Sequence, residues 1–134
     1  MKASFTIPGR LPSFNEYVNA CRRKWFIGAS FKKKQTKIIS AWIIAGRVPV
    51  FTQPVVMTFR WFERDKRRDR DNIRSAEKYI MDALVERLRI KNDTQKWVID
   101  SRHEIAVDKE NPRVEITIEE VTPGQEGVDG KKAA

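Results

Sequence analysis

The chain predicts an α+β fold: a single small domain in which two main helices pack on a mixed β-sheet of about four strands. Three observations carry this. Stretches of strand-like alternation recur near the start, in the middle and twice towards the end of the chain. Two stretches with apolar residues three and four apart lie between them. The last two strand stretches follow each other directly, so the order is β–loop–α–β–α–β–β, which is not the strict alternation of an α/β fold. At 134 residues the chain suggests one domain with a modest core. The domain is expected over residues 1–121, with 122–134 as a tail.

Taken in order, Ser4–Ile7 alternates and stops at Pro8-Gly9, as a short strand does. The following stretch, PGRLPSFNEYVNACRRKWFIGAS, is rich in Pro, Gly and Asn and reads as a long, mostly irregular segment. Such segments are usually functional or disordered, and Tyr17, Trp25 and Phe26 set among Arg22, Arg23 and Lys24 argue against disorder. A helix is predicted from Phe31 to about Gly46, capped by Ser30 and ended by Gly46. Ile38, Trp42 and Ala45 share one of its faces, with Ile39 and Ile43 beside them. Lys32, Lys33, Lys34 and Lys37 then crowd its first two turns, where the helix dipole disfavours cations and a bound anion would offset that.

Val55–Phe62 reads as a strand whose apolar run suits a central position. A second helix is predicted from about Asn72 to Arg89, with Ile73, Ala76, Ile80, Ala83, Leu84 and Leu88 on its apolar side. Lys91-Asn92-Asp93 is a turn. Lys96–Asp108 and Arg113–Val121 alternate as two strands, and the polar residues beyond them read as a flexible tail. There is no internal repeat.

The net charge is +9, and all of the excess sits in one place. Between Tyr17 and Phe62 there is no acidic residue, while Arg22, Arg23, Lys24, Lys32, Lys33, Lys34, Lys37, Arg47 and Arg60 all fall there; the remainder is neutral. Such segregation favours a polyanionic partner, nucleic acid first; the alternative is a basic chain that merely stays soluble. The single cysteine, Cys21, excludes a disulfide framework within the chain. No apolar run is long enough to span a membrane, and no signal-like segment opens the chain. A cytoplasmic protein without a membrane partner is the expectation.

One histidine and one cysteine cannot make a His/Cys zinc site. No Gly-rich phosphate loop is present, so no nucleotide cofactor is expected. His103 lies in mid-strand without a nucleophile elbow and reads as a packed or surface residue; Cys21 reads as a half-buried, inert thiol. Carboxylates remain. RRDRDNIRSA places Asp69 and Asp71 two apart among arginines, where strand gives way to helix, and Asp93 lies just past that helix. Mg²⁺ takes such oxygen ligands together with water and phosphate. A straight helix of about 18 residues, however, would hold Asp93 about 27 Å from Asp71. Asp71, Ser75, Lys78 and Asp82 share the stripe opposite the apolar one, which a merely solvated, ion-paired face would also produce.

RRDRDNIRSAEKYIMDALVE followed by KND resembles the RusA family of Holliday junction resolvases, small endonucleases often encoded by phages and prophages. IPGRLPSFNEYVNACR and NPRVEITIEE are similar to the same family's phage branch, and the resemblance runs to about Val121. It implies a RusA-like nuclease domain over residues 1–121, a homodimer that cuts branched DNA, four-way junctions, symmetrically with Mg²⁺, or with Mn²⁺ in its place. It implies Asp69, Asp71 and Asp93 as metal ligands, Asp82 as a supporting aspartate, and a bridging of the helix by a broken path or by a partner chain. Many members have Asp-Asp where this chain has Asn92-Asp93, and a lysine where it has Ser75, which leaves Lys78 as the candidate catalytic lysine. Asn15, Arg22, Arg23, Lys24, Lys32, Lys33, Lys34, Arg67 and Arg68 are the candidate DNA-binding residues. A basic DNA-binding protein that does not cleave is the alternative.

Overall fold

A computed structural model describes residues 1–121; the predicted tail, 122–134, lies outside the described residues. Along Val55–Glu63 every second residue is buried and Arg60 between them is exposed, the alternation of a strand with one face on the core. This strand, β2, is an inner one. It pairs antiparallel with β4 (Arg113–Glu120) and parallel with β3 (Val98–Val107), and β4 pairs antiparallel with β1 (Lys2–Pro8), giving the order β1-β4-β2-β3. The expected mixed, four-stranded α+β architecture is what forms, with β2 in the central place its apolar run suggested. Phe5, Ile7, Val114, Ile116 and Ile118 complete the buried face.

The stretch expected to be irregular is helical. Ser13 and Glu16 form a reciprocal capping box, the Glu16 N–H donating to Ser13 Oγ and the Ser13 N–H to Glu16 Oε2, and this starts α1 (Phe14–Arg23) despite the surrounding Pro, Gly and Asn. Lys24 ends α1 and opens α2 (Trp25–Ala45) at once. The second helix therefore begins at Trp25, and Ser30 lies inside it rather than capping it. Lys32, Lys33 and Lys34 sit about two turns in, so the dipole argument for an anion at this helix end does not apply to them. The buried face is Ile39 and Ile43, while Ile38 and Trp42 are partly exposed.

Gly46 lies at the end of α2 for reasons of space: a Cβ there would come within 2.8 Å of Phe5 Cβ on β1. The left-handed residue that stops the helix is Arg47 (φ 53°), with the Arg47 N–H donating to the Ile44 carbonyl and Val48 N–H to that of Ile43.

The segment predicted as one helix from Asn72 to Arg89 is two: α3 (Arg70–Arg74) and α4 (Glu77–Glu86). Ser75 makes the break. Its hydroxyl donates to the Asn72 carbonyl at 2.7 Å, and the Ala76 N–H turns instead to the Ile73 carbonyl. Side-chain competition of this kind interrupts a helix. The same Ser75 Oγ accepts the N–H of Phe14 at 2.9 Å, so α1 is docked at the break. At the far end Leu88 takes φ 58° and the Arg89 N–H donates to the Leu84 carbonyl, a Schellman stop. Leu88, expected on the apolar side, is 75% exposed, whereas Ile73, Ala76, Ile80, Ala83 and Leu84 are buried. Together α3 and α4 supply the crossover that a parallel β2–β3 pair requires. Among the described residues no helix is long and apolar enough to cross a membrane.

Candidate functional site

The reversal after α4 brings Asp93 back along the helix. Lys78, in the first turn of α4, places its Nζ 2.9 Å from Asp82 Oδ1 and 3.6 Å from Asp93 Oδ2. The returning chain thus sets Asp93 beside the first turn of α4, whereas Asp71 pairs with Arg74 on α3. Asp82 also faces α2: its Oδ2 makes no directed hydrogen bond but lies 3.3 Å from Lys32 Nζ, a purely ionic contact between two helices. The bond to Asp82 raises the pKa of Lys78 against the opposing effect of burial, and Asp93 adds to the rise. Lys78 is therefore a cation at neutral pH.

Lys78 and Asp93 line a cavity of about 350 Å³ together with Arg74, Ser75, Glu77 and Ser101. Arg74 in turn makes an ion pair with the exposed Asp71. Asp69 caps α3 through its backbone, its carbonyl accepting the Ile73 N–H, and its side chain is exposed without a cap hydrogen bond. In chemistry Asp69, Asp71 and Asp93 suit a hard cation such as Mg²⁺. In placement Asp93 lines this cavity beside Lys78 while Asp71 is joined to it only through Arg74, and among the described residues no three acidic, His or Cys side chains converge as a metal-holding group.

The candidate DNA-binding residues divide. Arg22 and Arg23, in the last turn of α1, and Lys24, Lys33 and Lys34 are exposed. Lys33 also borders a groove between α2 and the end of α4. Arg67 is exposed beside Asp65. Asn15 Nδ2 donates to Asn72 Oδ1 at 2.9 Å, which ties α1 to the Asp-x-Asp-Asn element. Two residues are otherwise employed. Lys32 pairs with Asp82. Arg68 is only 14% exposed: its guanidinium grips Glu63 with two hydrogen bonds, 3.0 and 2.9 Å, and donates to the Leu11 carbonyl at 3.1 Å. Glu63, at the end of β2, is 6% exposed, so Arg68 balances a buried charge instead of meeting a phosphate.

Sequence reasoning missed a polar chain behind the cavity. Trp61 Nε1–H donates to His103 Nδ1 at 2.9 Å, His103 Nε2 lies 3.1 Å from Glu77 Oε1, and Ser101 Oγ donates to Glu77 Oε2 at 2.8 Å. Because Nδ1 accepts, Nε2 carries the proton and donates to Glu77. Burial raises the pKa of Glu77, but the bonds from His103 and Ser101 outweigh it, and the net shift is downward. Phe59, Trp61 and His103 stack nearly parallel, which fixes the imidazole plane. The period-two placement of Ser101 and His103 on β3 was the available signal that both face the helix side. Cys21, expected half-buried, is exposed.

Tyr79 fastens α1 over this region. Its hydroxyl donates to the Ser13 carbonyl at 3.0 Å, and burial pushes its pKa up to about 12. The chain matches no protein-family model, and a search of curated proteins likewise finds no match.

Proposed function

We propose that this protein is a Mg²⁺-dependent endodeoxyribonuclease that resolves four-way DNA junctions by paired, symmetric nicks, with Mn²⁺ able to replace Mg²⁺. The observation that carries the reading is the linkage of Asp71 to Arg74 and of Asp93 to Lys78, with both cations on the wall of one cavity. The resemblance of this segment to the RusA family and the acid-free basic stretch support it. Asp69, Asp71 and Asp93, although not gathered into one metal-holding group in this structure, are the oxygen donors that would hold the ion, which would polarise the scissile phosphate and acidify a bound water.

The chain's own residues do the rest. Lys78, kept protonated by Asp82, stands ready to balance charge that develops on the phosphate. Arg74, exposed beside Asp71, attracts the backbone phosphate to the same rim. Water oxygen bonds to phosphorus as the bond to the 3′-oxygen breaks, and that oxygen takes a proton, leaving 5′-phosphate and 3′-hydroxyl ends. Two opposed nicks need two sites, which a twofold homodimer provides.

A second reading is a DNA-binding protein that does not cut, favoured by the fact that Asp71, Asp82 and Asp93 are each ion-paired. Incubation with a synthetic four-way junction decides. Paired nicks in Mg²⁺ and none in EDTA support the nuclease; a retarded but uncut junction under both conditions supports the second reading. Sedimentation should give a dimer at micromolar concentration.

A further inference from the structure

The chain passes from α1 to α2 through Lys24 alone, whose backbone is extended (φ −160°, ψ 146°). The two helices dock just beyond it through Gly28, where a Cβ would lie 2.3 Å from Cys21 Sγ. That contact leaves the first two residues of α2 outside the packing: Trp25 is 80% exposed and Phe26 49% exposed. The rings meet edge to face at 90° with centroids 5.9 Å apart. Lys24 Nζ lies 5.7 Å from the Phe26 centroid, and Arg22 and Arg23 are exposed beside it. An uncovered tryptophan forgoes the burial its large ring would otherwise gain, and this one directly follows three exposed cations in a segment without any acid.

We infer that this corner is a base-stacking contact: Trp25, backed by Phe26, takes an unstacked nucleobase of the DNA while Arg22, Arg23 and Lys24 hold the flanking phosphates. The inference rests on the proposed function for the nature of the ligand, and it adds which feature of a junction is read. Every base has a π-face, so an aromatic platform with cations around it binds unpaired bases with little regard to sequence. Strand exchange at a four-way junction is where duplex stacking is interrupted and such a face is offered. A second copy of this chain is the poorer occupant, because a twofold contact here would set three cations against three.

The test uses a four-way junction carrying 2-aminopurine at the branch point, in EDTA so that no strand is cut. The parent protein should change the 2-aminopurine emission on binding. Trp25→Ala should abolish that change and bind the junction about tenfold more weakly, with the salt dependence of binding unaltered; Trp25→Phe should restore most of both. Arg22→Ala with Arg23→Ala should do the opposite, flattening the salt dependence while the emission change persists at saturation. If Trp25→Ala binds and perturbs 2-aminopurine as the parent does, the stacking role is overturned while DNA binding stands. If the parent does not bind the junction at all, the DNA reading itself fails. A blue shift of Trp25 emission with phosphatidylserine vesicles but not with the junction would assign the corner to a membrane surface. A shift that follows protein concentration alone would assign it to a second copy; either overturns the inference.

Discussion

Lys78 Nζ lies 3.6 Å from Asp93 Oδ2, although most of α4 lies between the two residues in sequence. That pairing joins the acid beyond the helix to a cation in its first turn, and it gives the site its shape. Replacing Lys78 by Ala should lower the single-turnover rate on a saturating junction on the order of 10²-fold, the loss expected when a transition-state charge partner is removed. Loss of an exposed ion pair alone would leave the rate within about threefold. Lys78→Arg, which keeps the charge, should recover part of the rate. Ser75→Ala is unsuitable as a silent control, because Ser75 holds the helix break and the start of α1.

Asp69→Asn and Asp71→Asn should each abolish cleavage and leave junction binding intact or tighter. Neutralising either removes an oxygen donor for the ion and a repulsion from phosphate together. Asp71→Asn also releases Arg74 from its pair. Gel retardation and strand cleavage measured on the same preparations check this, and a variant that cuts at the parent rate rules out its aspartate as a metal ligand.

Junction binding should weaken steeply with salt, and the contributing cations are those left exposed by the fold. Lys33→Ala combined with Lys34→Ala should flatten the plot of log affinity against log salt by about 1 to 2 units, since each phosphate that a cation neutralises adds about 0.9 to the slope. Lys32→Ala should act mainly on stability, since its ammonium is engaged with Asp82.

Arg68→Ala should destabilise the domain by about 3 kcal/mol, because it strands the carboxylate of Glu63 in the interior. Urea unfolding measures this. Arg68→Met with Glu63→Leu should be far milder, and neither variant should change the salt slope of junction binding.

Glu77 has its native pKa below the usual 4.5. A carboxyl depressed in this way contributes its full stabilisation above 4.5 and loses it as pH falls through the lower native value. Glu77→Gln should therefore lose less stability than the parent on acidification below 4.5, while being less stable near neutrality by about 1 kcal/mol. Identical acid limbs for the two proteins in urea titrations would refute the His103–Glu77–Ser101 linkage as a source of stability.

Much of this molecule is written locally. The buried alternation of Val55–Glu63 is legible because a half-buried strand leaves a period of two in its own residues, and the segregation of positive charge needs no fold to be seen. The Ser13-x-x-Glu16 capping box is equally local, yet the Pro, Gly and Asn around it masked a helix that two reciprocal hydrogen bonds are enough to start. Other features exist only in three dimensions. The spacing of Ile73, Ala76 and Ile80 runs unbroken through the α3–α4 junction, so periodicity could not reveal the break; it depends on Ser75 meeting Asn72 and the distant Phe14 N–H. Arg68 sits among arginines that look alike in sequence, and only the burial of Glu63 and the nearness of the Leu11 carbonyl set it apart. The chain by itself therefore determined which groups are available: the aspartates, the lysine and the basic stretch. The tertiary structure decided which of them meet, because an ion pair or a helix stop is settled by neighbours that are far away in sequence and a few ångströms away in space.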